Sequence, residues 1–516
     1  MDGVMDSDLQ SLQEVRDLVR KAAQAQAGFA TATQGEVDKI CLAMVRAGER
    51  ESRRLAELAV EETGMGRADD KMLKHELSTR VLWERYAGMT TVGAVKTDRR
   101  NKVTTIAVPM GVIAAIIPTT NPTSTALYKS ILCVKSRNGM VASPHPNAGR
   151  CTYETIRVMA RAAVAAGAPE NLIACISMPS IDAATALMKH PQISLILSTG
   201  GSAIVRAAHS TGKPAIGVGP GNVPAFIERS ADVRQAVKDI ILGKCFDWGL
   251  VCSSEQAMIV EQPIEKKVTD YLKDEKVYWV RDDERVRLEE FMVKPDGRLN
   301  TAVVGQPPVR IAQMAGFTVP EDTRVLIVKQ SGVGADYPLS REKLSPVLAY
   351  YTVPDARSGI ELATAIVNFG GVGHTASIHT KNEQVVEQYA ASVRTFRILV
   401  NTPSPHGSVG FTTGLDPAMT LGSGTWGGAI TGDNITPLHL VNLKRIAWSL
   451  HSVEAGGNGE FQSKRGNYSR FDEAPSKRPA TDSEAGKSSG STEELTPDEA
   501  SHIARNFAQQ MEQGQE

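Results

Sequence analysis

GVIAAIIPTTNPTST, residues 111–125, runs from a near-continuous apolar segment through a polar turn into the start of a helical pattern. A strand that is apolar at successive positions is buried on both faces, the condition of strands in parallel sheets. Four further runs repeat it: NGMVAS at 138–143, NLIACIS at 171–177, ISLILS at 193–198 and PAIGVG at 214–219. Between them lie amphipathic helical patterns at 123–135 and 148–166. Strand and helix in alternation predict an α/β fold built on a parallel, doubly wound sheet. Such sheets take ligands at the carboxyl ends of their strands, where helix N-termini present backbone N–H groups. Two of these ends stand out, PTTNPTS at 118–124 and STGGSA at 198–203, the second with glycines that permit close backbone approach to a phosphate. Neither has G-x-G-x-x-G spacing, so by itself each reads as a plain turn more readily than as a dinucleotide site.

Upstream, residues 8–86 read as helices. Leu9, Leu12, Val15, Leu18 and Val19 keep helical spacing, as do Val37, Ile40, Cys41, Met44 and Val45. From 92 to 108, β-branched residues flank the polar turn DRRNK, which predicts a hairpin or extended arm. Downstream, a second mixed block passes through AMIV, KVYWV, TAVV, RVLIV, SPVLAYYTV and TASIH to about residue 401. Glycine-rich turns punctuate it, NFGGVGHT at 368–375 and LGSGTWGG at 421–428; the first sets His374 either at the mouth of a cleft or as the cap of a turn. ITPLHLVNLKRIAW, 435–448, reads as a strand or a short helix.

The 516 residues suffice for about three domains. A hydrophobic fraction of 41%, a charged fraction of 22% and a net charge of -1 describe an ordinary globular chain with no electrostatic case for nucleic acid. Six scattered cysteines, without CxxC spacing, suggest neither a disulfide framework nor a structural metal site, and none is expected. No signal peptide or membrane span is expected either, and a reducing cytoplasm fits the free thiols.

Within CFDWGLVCSSEQAMIV, 245–260, Cys252 lies between a glycine-containing turn and a fresh apolar strand. Free cysteine is usually inert core. The polar run Ser253, Ser254, Glu255 and Gln256 would be costly to bury beside it, so a nucleophile facing a cleft and a core residue both stand.

Taken in order, GVIAAIIPTTNPTST, SPHP, VGPGNVP, the Cys252 segment, EKLSPVLA and GGVGHT make the chain resemble the aldehyde dehydrogenase superfamily over roughly residues 10–450. The resemblance is to its CoA-acylating branch: microcompartment propionaldehyde and acetaldehyde dehydrogenases and the N-terminal half of bifunctional aldehyde-alcohol dehydrogenases. It implies a Rossmann-like cofactor domain, an α/β catalytic domain and a small oligomerisation arm. Cys252 becomes the nucleophile, with the Asn121 amide and the Cys252 backbone N–H as oxyanion donors and His374 close to the thioester. Pro118, Thr119 and Thr120 are expected on the nicotinamide side, Thr199, Gly200 and Gly201 on the pyrophosphate side, Glu342 on the nicotinamide ribose, and Gly219 among the cofactor-binding residues. Ser143, Pro144, His145 and Pro146 stand where many hydrolytic relatives carry K-P-A-E, whose lysine and glutamate contact the adenosine ribose; Ser143 and His145 are expected among the cofactor-binding residues there, and with the glutamate absent NAD is expected with NADP tolerated.

Hydrolytic members also place a glutamate where this chain has Val218, as general base for water. Without that base, the acyl group waits for the coenzyme A thiol. The resemblance thus implies reversible NAD-dependent oxidation of a short-chain aldehyde to its acyl-CoA. The alternatives are a non-CoA aldehyde or semialdehyde dehydrogenase, an acyl-phosphate reductase, or an inactive scaffold. The chain length leaves no room for the iron-dependent alcohol dehydrogenase half of the bifunctional enzymes, so aldehyde chemistry alone is expected.

The tail differs. From 454 to 494 there is no Leu, Ile, Val or Met, which predicts an unfolded linker. Beyond it, Thr496 and Glu499 frame a capping box with Pro497 at the first helical position, and Ile503, Phe507 and Met511 share one face. A tethered helix of this kind is similar to the encapsulation peptides of microcompartment enzymes, and implies a shell protein as partner and a bacterial microcompartment as location. The expected organisation is helices and a dinucleotide-binding domain at 1–247 with its arm at about 92–108, a catalytic cysteine domain at 248–428, and a return to the cofactor domain or oligomerisation element at 429–453. The linker at 454–494 and the helix at 495–513 follow, in a homodimer or homotetramer.

Overall fold

The computed structural model describes residues 6–455 and 461–465. Its first sheet has five parallel strands in the order Ile173–Cys175, Gly139–Pro144, Val112–Ile117, Ile193–Thr199, Ala215–Val218. The period of two along a strand explains the continuous apolar runs. Ile113, Ala115 and Ile117 face a core with Val37, Ile40, Met44, Leu127 and Ile156, whereas Val112, Ala114 and Ile116 face another with Val15, Val19, Leu187 and Ala208. Helices cover both faces, and each fully buried aliphatic side chain contributes about 1.5–3 kcal/mol. Strand order reverses between Val112–Ile117 and Ile193–Thr199, and this switch point opens a crevice beyond their carboxyl ends.

A second parallel sheet has seven strands, in the order Val277–Trp279, Val325–Lys329, Val347–Val353, Glu255–Glu261, Val223–Ile227, Ala376–His379, Ile398–Val400. Its central strands likewise divide their side chains: Met258 and Val260 pack under Val237 and Ile241, Ala257 and Ile259 under Ala363 and Ile366. Because Val223–Ile227 pairs with Glu255–Glu261, the two sheets part between Val218 and Val223, upstream of the boundary expected at 247. Nothing local marks that crossing, since both strands read as buried apolar runs. TAVV, grouped with the strand-like runs, holds a 3-10 turn at Thr301–Val303.

Gly93–Asp98 and Val103–Pro109 form the expected hairpin, and Val441–Ala447 adds a third antiparallel strand. The ambiguous segment 435–448 is therefore both things in turn, a 3-10 turn at Pro437–Leu440 and then this strand. Of the described residues, 449–455 and 461–465 belong to a separate unit. In it His451–Ala455 and Phe461–Arg465 pair antiparallel, so the span expected to be unfolded linker from 454 begins with a hairpin. Composition missed it because such a ladder is held by backbone hydrogen bonds, which do not depend on apolar side chains. The helix expected at 495–513 lies outside the described residues. Among those described, no helix is long and apolar enough to cross a membrane.

Candidate active site

Cys252 follows a tight turn. Asp247, Trp248 and Gly249 have φ of 48°, 52° and 73°, a left-handed run that costs about 1–3 kcal/mol at each non-glycine residue unless its surroundings enforce it. The enforcement comes from the helix Ala68–Glu76. Fully buried Asp247 accepts the Arg67 N–H at 2.7 Å and Lys71 Nζ at 3.0 Å, pairs with Lys74, and donates its own N–H to Asp70 at 2.8 Å. Burial pushes the Asp247 carboxyl up, but Lys74 and Lys71 outweigh it and hold the group below its ordinary value. The turn thus delivers Cys252 to the mouth of the second sheet, at the start of Glu255–Glu261.

The sulfur meets His374, whose Nε2 lies 3.2 Å from Sγ while Nδ1 lies 2.9 Å from the Thr375 hydroxyl. His374 is fully buried against the Cys252 sulfur. With Nδ1–H donated to Thr375, Nε2 is left as an acceptor for the thiol proton. Burial, then nearby Arg397, pulls the imidazole down to about 3. Burial, then nearby Glu342, pushes the Cys252 thiol up to about 12. The resting pair is therefore neutral thiol and neutral imidazole.

Two loops hold this pair. Arg397, 3% exposed, donates to the His374 carbonyl, to Asn434 Oδ1 at 2.8 Å and to the Gly422 and Gly432 carbonyls, tying the GGVGHT turn to the 421–434 loop. Gly221 lies behind the nucleophile, where a Cβ would overlap the Cys252 carbonyl and press on the His374 ring. Its N–H donates to Glu342 Oε1 at 3.2 Å, and burial pushes that carboxyl up to about 8. Glu342 is thus part of the cysteine's surroundings.

Asn121 caps the helix Pro122–Lys135 at the switch point. Its Oδ1 accepts from Lys74 Nζ at 2.6 Å and its Nδ2 donates to the Thr120 hydroxyl at 3.1 Å. Lys74 is close enough to Cys252 to bear on its thiol, which joins the two ends of the site. Beside them is an apolar cavity lined by Val251, Val409, Phe411 and Met419, with Lys74 and His406 as polar members.

The remaining predicted residues fall along the first sheet's carboxyl edge. Pro118, Thr119 and Thr120 follow the strand Val112–Ile117, and Thr199 ends its neighbour across the crevice, with Gly200 and Gly201 after it. Gly201 caps the helix Ser202–His209, and space is open where a Cβ would sit at Gly201 and Gly219. That openness and the free helix start fit a dinucleotide phosphate. Thr199 Oγ1 lies 3.1 Å from Thr420 Oγ1. Ser143 is buried inside its strand, and His145, with Pro146 and Asn147 after it, is exposed. Val218, 2% exposed, ends the strand Ala215–Val218 and offers no base.

Sequence reasoning missed Lys74, Asp247, Gly221, Arg397 and the cavity. Gly221 alone had a signal, the glycine of VGPGNVP; the others meet the cysteine only through long-range packing.

The family model described as the aldehyde dehydrogenase family matches residues 4–284. The bifunctional aldehyde-alcohol dehydrogenase of Escherichia coli (strain K12) is 40% identical over 84% of this chain and 49% of its own length. The chain spans about half the length of the curated bifunctional relatives it matches. An acetylating aldehyde dehydrogenase structure from Geobacillus thermoglucosidasius superimposes with a TM-score of 0.86 at 44% identity, covering 87% of this chain and 99% of that one. The propionaldehyde dehydrogenase of Rhodopseudomonas palustris, solved with bound CoA and an acylated cysteine, gives 0.76 at 26% identity over 84% and 97%.

Proposed function

From the premise that the chain belongs to the aldehyde dehydrogenase family, we propose that it interconverts a short-chain aldehyde and its acyl-CoA through a thioester on Cys252. The observation that carries this is the 3.2 Å approach of His374 Nε2 to Cys252 Sγ, in a chain whose buried Val218 provides no base for water. His374 takes the thiol proton as sulfur attacks the aldehyde carbon. The Asn121 amide and the Cys252 N–H receive the developing oxyanion, each such donor contributing roughly 3–4 kcal/mol. NAD, with NADP tolerated, supplies the hydride acceptor in the crevice between residues 118–120 and 199–201, with Glu342 toward its nicotinamide ribose and Ser143 and His145 toward its adenosine end. The acyl group then waits on sulfur until the CoA thiol exchanges with it.

Support for an uncharged acyl chain comes from the cavity: Val251, Val409, Phe411 and Met419 offer it apolar walls, and Lys74 is already engaged by Asp247 and Asn121. The exposed Leu443 and Ile446 on the strand Val441–Ala447 support assembly through the antiparallel arm into a homodimer or homotetramer. The pattern of residues 495–513 supports cargo loading into a bacterial microcompartment through a shell protein.

The test is propanal with NAD, with and without CoA. Steady NADH formation with CoA and only one equivalent per active site without it is expected. Sustained release of free acid in the absence of any thiol would overturn the acylating reading in favour of a hydrolytic one. For the tail, a reporter fused to residues 490–516 should co-purify with shells and Phe507→Asp should abolish this; equal behaviour of the two removes the addressing role.

A further inference from the structure

We propose that Lys74 is a positioning residue: held on the buried Asp247 carboxylate, it orients the Asn121 side chain so that the amide nitrogen, and not the amide oxygen, faces the reacting carbonyl. The inference rests on the reading of Asn121 as oxyanion donor. A primary amide is nearly isosteric with its flipped form, and only the flip with N–H toward the substrate stabilises an oxyanion; the other presents a carbonyl oxygen that repels it. An ammonium only donates. At 2.6 Å from Oδ1, Lys74 Nζ therefore assigns the oxygen to its own side. The amide spends one hydrogen on Thr120 Oγ1 and keeps the other.

Lys74 is itself fixed. Its side chain is 3% exposed, its charge is balanced by Asp247, and the cation lies 5.6 Å from the centre of the Phe246 ring. Asp247 belongs to the left-handed turn that delivers Cys252, so one helix, Ala68–Glu76, sets both the nucleophile's turn and the donor's orientation. Lys71 reaches the same carboxylate at 3.0 Å without a hydrogen bond to Asn121, which makes it the internal control.

The experiment is a double-mutant cycle on aldehyde oxidation with CoA, reading kcat, KM and thermal midpoint. Asn121→Ala should lower kcat roughly 100- to 1000-fold. Lys74→Met should lower kcat roughly 10- to 100-fold with little change in KM, and should cost no more than about twofold when added to Asn121→Ala. Lys74→Arg, which retains a cationic donor, should recover most of the rate, and Lys71→Met should multiply independently with Asn121→Ala. If Lys74→Met does not fold, Lys74→Leu, which also removes the donor, runs the same cycle. Independent multiplication of the Lys74 and Asn121 effects, or a Lys74 loss matching the unfolded fraction, overturns the inference. An unchanged kcat in Asn121→Ala overturns the donor reading itself, and the inference with it.

Discussion

Nε2 of His374 stands 3.2 Å from Sγ of Cys252, and neither group carries a charge at rest. Burial pushes the thiol up to about 12 and pulls the imidazole down to about 3. Both shifts favour neutral thiol and neutral imidazole over a thiolate–imidazolium pair, so activation of the thiol calls for its proton to move to Nε2 in the attack. That arrangement keeps the cysteine unreactive toward stray electrophiles, because the thiolate is the nucleophilic form.

The first prediction follows from that pair. His374→Ala should slow alkylation of Cys252 by iodoacetamide about 100-fold at pH 7, the lower range for losing a positioned base. The remaining rate should climb roughly tenfold per pH unit, since below its pKa the thiol ionises in that proportion. The wild type should show a shallower slope. Parallel slopes would remove His374 as the base.

Mass spectrometry should find the acyl group on Cys252 alone when the enzyme is quenched with propanal and NAD in the absence of CoA. Cys245 is 4% exposed, its sulfur lies 3.6 Å from the Arg324 carbonyl, and burial pushes its thiol up to about 11. Cys245→Ala should keep most activity and Cys252→Ala none. An adduct on Cys245 would reassign the nucleophile.

The cavity walls predict selectivity. Propanal should exceed succinic semialdehyde in kcat/KM by at least about 100-fold, because the carboxylate of the semialdehyde would be desolvated without a free cation to pair it. Met419→Ala should favour longer chains by roughly tenfold, the usual worth of a methylene or two in an apolar pocket. Equal rates for the charged and uncharged aldehydes would place the acyl chain elsewhere.

Stability should respond to acid through His379, 2% exposed, which burial pulls down to about 4. An unfolded imidazole protonates near pH 6.5. Between about 6.5 and 4 the unfolded chain binds the extra proton, so this contribution is complete above 6.5 and falls with pH. His379→Gln should gain on the wild type across that window by up to about 1.4 kcal/mol per pH unit. The carboxyls of Glu255 and Glu342, which burial pushes up to about 8, act in the opposite sense but are shared by both proteins and cancel. Urea midpoints at pH 7 and 5 provide the check; a constant difference would mean that His379 is not the titrating group.

Local pattern carried much of this protein. Apolar runs such as VIAAII and ISLILS determined a parallel sheet, because a strand covered on both faces has no polar side to show. The ordered motifs determined the family, and through it the expectation of Cys252 as nucleophile, Asn121 as oxyanion donor and no base at Val218. Tertiary structure decided what depends on distance across the chain. His374 reaches the sulfur from 122 positions away, and Lys74 and Asp247 meet from 173. The parting of the sheets at Val218–Val223 was settled by which edge the strand Val223–Ile227 paired with, a choice its own residues do not express. Protonation states were decided in the same way: an isolated thiol and imidazole have ordinary affinities for protons, and only the desolvation and neighbouring charges of the folded site move them apart.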